Sequence, residues 1–302
     1  MTSTKKEKNM KGRTNIQSII DKLLNLFLVG FTLIFVWFFS QVFFFSSFRI
    51  PSNSMEPGLI EGDAVLVWKP ILGARLFNVN ATLNLEQVTI YRTPGLRQVQ
   101  RNDVLVFNFP HPNQWDKIEM HILRYYIKRC IGLPGDSLSI QKGEFQVKGV
   151  DLLLGNKKSQ LQIGATRPED FAKGVYNSFP FDSSFNWTIQ EFGPFYIPKS
   201  GDELVMNHTH YLLYRKLIEW EQQGKLTYQD KTVYLNGRPI KSYRFLKNYY
   251  FMAGDNGMNS QDSRYWGLLP EEYIVGKAVL IWKSIDPHTE TFRWERFLKR
   301  IE

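Results

Sequence analysis

The sequence predicts a mostly β protein: an N-terminal transmembrane helix, then an exported antiparallel β-sheet domain with an inserted smaller α+β lobe. Three observations predict it. Residues 23–48 carry no charge; short segments rich in Val, Ile, Tyr and Phe recur beyond Ile50; and one helical pattern interrupts them in the second half of the chain.

Composition frames these elements. Of 302 residues, 43% are hydrophobic and 15% aromatic, enough for one large core or two smaller ones, which excludes a disordered chain. The single cysteine, Cys130, excludes an intrachain disulfide and any multi-cysteine metal site, and so says nothing of redox compartment. Of the formal charge of +9, much of the excess, about +4, lies before residue 23. There Lys5, Lys6, Lys8, Lys11, Arg13 and Lys22 face only Glu7 and Asp21, directly ahead of the longest apolar run. That placement points to a membrane and not to a nucleic acid.

A bilayer core of roughly 30 Å needs about 20 apolar residues in a helix, so residues 23–48 supply one span. The positive-inside rule puts residues 1–22 in the cytoplasm and everything after the span on the opposite face of the cytoplasmic membrane. The competing reading, a cleaved secretory signal, suits a shorter apolar core followed by a small-x-small cleavage site, whereas this run ends in Phe43, Phe44 and Phe45.

After the span, residues 64–69, 104–109, 122–131, 137–140, 233–235 and 277–283 read as strands bounded by Gly, Pro, Asp or Asn. Lys142-Gly143 and Asn236-Gly237 read as hairpin turns, the second as type I′. Residues 207–223 read as a helix, with Asn207 or Thr209 to cap it and Gly224 to end it. Stretches 70–100 and 150–200 are polar and weakly periodic, as insertions are. The chain therefore divides into the basic terminus 1–22, the span 23–48, a β domain from 49–142 with 249–291, a second lobe 143–248 and a tail 292–302. In that tail Trp294, Phe297, Leu298 and Ile301 share a helical face ringed by Arg293, Arg296, Lys299 and Arg300. Such a helix either lies on lipid or docks on the protein.

Three segments carry chemistry. Ser52-Asn53-Ser54-Met55-Glu56-Pro57 follows the span at membrane-surface height, where an exported chain emerges; alone, it also suits a linker turn. Lys128 sits behind Tyr126 and Ile127 on an apolar strand, so it either snorkels to water or accepts desolvation. Lowering its pKa from about 10.4 to about 8 would cost roughly 3 kcal/mol and create a base able to take a serine proton. Arg129, always charged and on the opposite face, suits an ion pair. Residues 254–267 are dense in Asn, Asp, Ser and Gly and read as a hydrogen-bonded loop. His208 and His210 alternate without a Cys or an HExxH pattern, so no metal is expected.

In this order behind an anchor, the boxes Ser52-x-Ser54-Met55-x-Pro57, 101–107, Tyr126 to Asp136 and Gly254 to Gly267 resemble the type I signal peptidases of bacteria. The resemblance implies a membrane-bound serine endopeptidase that removes signal peptides from exported precursors after a small-x-small (Ala-x-Ala) motif. It implies that Ser54 is the nucleophile and Lys128 the neutral general base. The Ser54 N–H and the Ser52 hydroxyl match the family's oxyanion hole, Ser260 the serine that orients the lysine, and Asp255, Asp262 and Arg264 the supports of the last box. Phe48, Ile50, Pro51, Met55, Leu59, Tyr126 and Ile127 match the wall of the substrate pockets, though ordinary core packing accounts for them too. Expected partners are precursor proteins and the phospholipid bilayer, with no nucleic acid and no cofactor, and the chain is expected to act as a monomer. Gly257 and Met258 depart from the family's usual Arg-Asp or Arg-Asn pair, Asn102 from a common glycine and Gly58 from a common threonine. Two other classes compete. A self-cleaving Ser-Lys repressor is disfavoured by the span, and an inactive signal-peptide binder by the presence of both Ser54 and Lys128.

Overall fold

The computed structural model describes residues 3–78 and 89–302; Met1, Thr2 and the middle of the 70–100 stretch, residues 79–88, lie outside the described residues. It has two compact units, one ending at Phe45 and one running from Ser46 to Glu302.

The first unit is a helix, Ser3–Phe43, within which Gln17–Phe43 is long and apolar enough to cross a membrane. Leu26, Phe27, Phe35 and Val36, spread around the helix, are all exposed, so it is apolar around its circumference, as a lipid-facing helix must be. It stops short of the predicted end at Phe48, because Phe45–Arg49 is a strand. In an uninterrupted apolar run both conformations bury the same side chains, and periodicity does not separate them.

The second unit is built on an eight-stranded sheet, counted among the described residues. Its order is Phe45–Arg49, Asp63–Trp68, Ile274–Ser284, Val104–Asn108, Tyr125–Gly132, Tyr249–Ala253 and Leu269–Pro270, with Lys299–Arg300 also on Ile274–Ser284. From Asp63–Trp68 onward, neighbours pair antiparallel. Along Asp63–Trp68 burial alternates with the two-residue period of a strand. Val104–Asn108 and Tyr249–Ala253 are buried throughout, and the alternating side chains of Val104–Asn108 feed cores on both faces. Val104 and Val106 join Val65, Val67, Ile50, Met55 and Leu59; Leu105 and Phe107 join Cys130, Phe251 and Trp266. The second of these cores runs on without a break into Phe195, Tyr214 and Phe245 of the 143–248 segment.

Local signals act where they were read. Asn236 and Gly237, at φ 52° and 77°, close the hairpin between Thr232–Leu235 and Arg238–Ile240, and Lys142 and Gly143 do the same between Ser137–Gln141 and Glu144–Val147. The helix His208–Gln222 is capped by Asn207, whose side chain accepts from the His210 N–H at 2.8 Å. It ends through Gln223 in the left-handed region and not through Gly224, where a Cβ would lie 2.4 Å from the Asn236 side chain.

Two regions differ from expectation. The 150–200 stretch contains a helix, Lys157–Ala165, whose N-cap Asn156 accepts from the N–H groups of Lys158 and Ser159. The tail 292–302 is no amphipathic helix: Trp294–Arg296 is a single 3-10 turn, Leu298 has φ 56°, and Lys299–Arg300 pairs in the sheet. A positive φ at Leu298 breaks any helical face through Ile301.

Candidate active site

Tyr125–Gly132 holds Lys128 opposite Leu105 in register with the Val104–Asn108 strand, which buries the amine at 4% exposure. Its Nζ donates to Ser54 Oγ at 2.7 Å and to the Ile127 carbonyl at 3.0 Å, and lies 5.5 Å from the centre of the Tyr126 ring. Burial lowers its pKa from the ordinary 10.5 to about 8; Asp262 and Asp255 pull it up, Arg264 pushes it down, and burial dominates. Deprotonated, the amine presents a lone pair to the same hydroxyl across the same distance. Arg129, pointing the other way, makes a bidentate pair with Asp255, 2.7 Å at each arm.

Ser54 stands on a turn-rich segment fastened from below. Met55 and Leu59 are fully buried, and the Leu59 N–H bonds the Met55 carbonyl at 3.0 Å. From the other side, the Asn256 N–H bonds the Ser54 carbonyl at 3.1 Å. Contact there is close enough to require glycine at 254, since a Cβ would lie 2.2 Å from Ser260 Oγ and 2.6 Å from the Ser54 carbonyl. Ser52 Oγ lies 3.5 Å from Ser54 Oγ, with its side chain exposed at the cleft.

The loop after Gly254 is organised by Asp262. Its carboxylate accepts from the Gly254 N–H at 2.9 Å, from Ser260 Oγ at 2.7 Å and from both arms of Arg264 at 2.8 and 2.7 Å. Burial alone would push this carboxyl up, but the adjacent guanidinium outweighs it and holds the group below its usual range. Ser260 was expected to orient Lys128. Its hydroxyl donates to Asp262, and the Asp262 carboxylate in turn raises the pKa of the amine.

A cleft of about 440 Å³ opens over Ser54 and Lys128. Phe48, Ile50, Pro51, Ser52, Ser54, Tyr126, Ile127 and Lys128 line it. Met55 and Leu59 do not: they belong to the core beneath, with Val65 and Val67. The cleft also takes Arg49, Val106, Tyr125, Asn53, Asn259 and Gln261, to which no site role was assigned from the sequence. Strand alternation was the available signal for Val106, paired with Ile127, and Tyr125 packs edge-on against Phe48 at 4.8 Å.

Residues 23–283 match the family model described as signal peptidase, peptidase S26. Signal peptidase I of Buchnera aphidicola from Schizaphis graminum is 32% identical over 276 residues, 90% of this chain and 78% of that protein. Signal peptidase I of Pseudomonas aeruginosa is 26% identical, over 84% of this chain and 70% of its own length. The chain belongs to the signal peptidase S26 family. It is a serine endopeptidase, and its apolar N-terminal helix fits the membrane anchoring expected of it.

Within this S26 chain, the departures noted above have local structural accounts. Asn102 adopts φ 68°, a left-handed conformation that suits glycine and that Asn tolerates, and its side chain bonds the Leu153 carbonyl and the Gly155 N–H, each at 2.8 Å. At Gly58, a Cβ would come within 3.0 Å of the Asp255 carboxylate that holds Arg129. Met258 packs beside a small apolar cluster of Ile163, Phe171, Ile189 and Tyr265.

Proposed function

We propose that this S26 peptidase cleaves signal peptides from exported precursors after a small-x-small motif, using Ser54 as nucleophile and Lys128 as general base. The observation that carries the reading is the 2.7 Å contact between a buried, pKa-lowered amine and the Ser54 hydroxyl. Ser54 Oγ bonds to the scissile carbonyl carbon as its proton passes to Lys128 Nζ. The Ser54 N–H and the Ser52 hydroxyl face the oxyanion that forms. Collapse breaks the C–N bond, and the ammonium returns its proton to the leaving amine. Water then attacks the acyl-enzyme, giving its proton to Lys128, and the Ser54 hydroxyl is regenerated. Ser260 and Asp262 set the field at the amine, while Asp255, with Arg129, anchors the loop they stand on. Phe48, Ile50, Pro51, Tyr126 and Ile127 bring apolar bulk to the cleft, which favours small substrate side chains.

The reading includes a cytoplasmic N-terminus, a catalytic unit on the exported face of the membrane and action as a monomer on lipid-embedded precursors. It also assigns residues 49–142 and 249–291 to catalysis and 143–248 to a second lobe. The test is cleavage of an Ala-x-Ala precursor by the detergent-solubilised protein beside its Ser54→Ala and Lys128→Ala variants. Loss of cleavage in both is expected; cleavage persisting in either refutes the dyad.

A further inference from the structure

The loop that supports the dyad has two sides. On one, Asn256 and Asn259 reach the nucleophile segment: the Asn256 N–H bonds the Ser54 carbonyl, Asn256 Nδ2 the Asn53 carbonyl at 3.2 Å, and Asn259 Nδ2 the Asn53 side chain at 3.0 Å. On the other, Asp255 and Gly257 of the same loop meet the helix Lys157–Ala165 and its cap Asn156, about a hundred positions earlier in the chain. The Gly257 N–H donates to Ser159 Oγ at 2.7 Å, and Asn156 Nδ2 donates to the Asp255 carbonyl at 3.1 Å. Asn156 thereby has two tasks, since its Oδ1 caps the helix while its amide grips the loop. Arg264 Nη2 closes the circuit on the Gly257 carbonyl at 3.0 Å. Fit is tight at this contact: a Cβ on Gly257 would lie 2.6 Å from Ile163 Cδ1 and 3.0 Å from Ser159 Oγ. Met258 continues it into the cluster around Ile163.

We infer that Asn156 and Ser159 are positioning residues for catalysis, bracing the 255–258 loop from the inserted segment so that Ser54 and Lys128 keep their geometry. The inference rests on the Ser54–Lys128 reading. Its physical basis is that Asp255–Gly257 has backbone groups committed on both sides, so a slip toward the helix moves Asn256 off the Ser54 carbonyl and shifts Asp262 and Arg264 relative to the amine. Neither Asn156 nor Ser159 touches substrate, and both lie in a stretch whose sequence reads as an insertion. This chain carries Gly257 and Met258 where a charged pair is usual in the family, and the brace occupies that place.

The test compares Ser159→Thr with Ser159→Val in the full-length protein in detergent. The two side chains share a shape and differ in the hydroxyl that accepts from Gly257. Asn156→Asp joins them, because it keeps the helix-capping oxygen and removes the amide donor. Thermal melts score folding, and precursor cleavage across pH scores function. Ser159→Thr is expected near wild type, and Ser159→Val and Asn156→Asp are expected to lose about 10- to 100-fold in kcat with KM little changed. Their acidic limb should also move upward by about half a pH unit or more, as loosening admits water to the amine and relieves its desolvation. Equal kcat and equal acidic limbs for the Thr and Val variants overturn the brace, as does a fall in activity matched only by a fall in melting temperature. Should Ser159→Val not fold, Asn156→Asp decides by the same two readouts. Ser54→Ala runs beside them. Cleavage abolished by Ser54→Ala yet indifferent to Ser159 overturns the brace alone, whereas cleavage that survives Ser54→Ala overturns both readings.

Discussion

Replacing Lys128 by methionine should stabilise the protein near neutral pH, and the gain should vanish in base. A folded-state pKa of about 8 against an ordinary 10.5 corresponds to about 3 kcal/mol of unfavourable burial of the charge. The sign follows from proton binding. Between those two values the unfolded chain holds a proton that the folded one has released, so the cost is full below about pH 8 and gone above about 10.5. Methionine removes that cost but also loses the bonds to Ser54 and Ile127, about 1 kcal/mol each. The variant should therefore be about 1 kcal/mol more stable than wild type at pH 7 and about 2 kcal/mol less stable above pH 10.5. Melting temperatures of both proteins in the same detergent, followed from neutral pH into base, give the comparison. Their gap should change by roughly 6–12 °C across the range. Lys69 and Lys216, whose pKa values burial also lowers to about 8, cancel in the difference. A gap that stays constant with pH refutes an amine desolvated in the folded state.

Three other outcomes follow from the geometry. Gly254→Ala should cut kcat about 100-fold, because the new methyl drives Ser260 and the Ser54 carbonyl apart; burst kinetics on a precursor measure it. Arg129→Ala, which leaves Asp255 buried and unpaired, should cost about 3–5 kcal/mol in denaturant unfolding, and Arg129→Lys should recover little because it lacks the bidentate fork. Phe48→Ala, which removes one wall of the cleft, should raise kcat/KM for precursors with Val or Leu before the cut by about tenfold or more relative to Ala, as competition between the two substrates would report.

Ser54 and Lys128 could be picked out as candidates because a lysine behind Tyr126 and Ile127 on an apolar strand is conspicuous, and because the order of the boxes behind an anchor singles out a serine segment that alone also suits a linker turn. Hairpins at Asn236-Gly237 and Lys142-Gly143 were legible because two positive φ values favour particular residues. The end of the anchor was not, because Phe45 and Phe48 suit a strand as well as a helix. Trp294, Phe297, Leu298 and Ile301 have helical spacing, yet Arg296 is drawn into a buried pair with Asp63 and Lys299–Arg300 into the sheet, contacts that only the fold creates. Met55 and Leu59 show the same limit from the other side: the family resemblance marks them for the pocket wall, and packing puts them one layer below the cleft. Asn156 and Ser159 were invisible, because nothing local distinguishes a capping residue that also holds a distant loop.

The Lys128 amine is dry beside Ser54 and gives up its proton near pH 8, well below the ordinary 10.5. The direct measurement is the titration of ¹³Cε-labelled lysines by NMR, with the Lys128 resonance assigned as the one missing from Lys128→Arg. That resonance should titrate near pH 8, and should move toward the ordinary value when the fold is disrupted by denaturant. A Lys128 resonance that titrates near 10.5 in the folded, active enzyme contradicts the account.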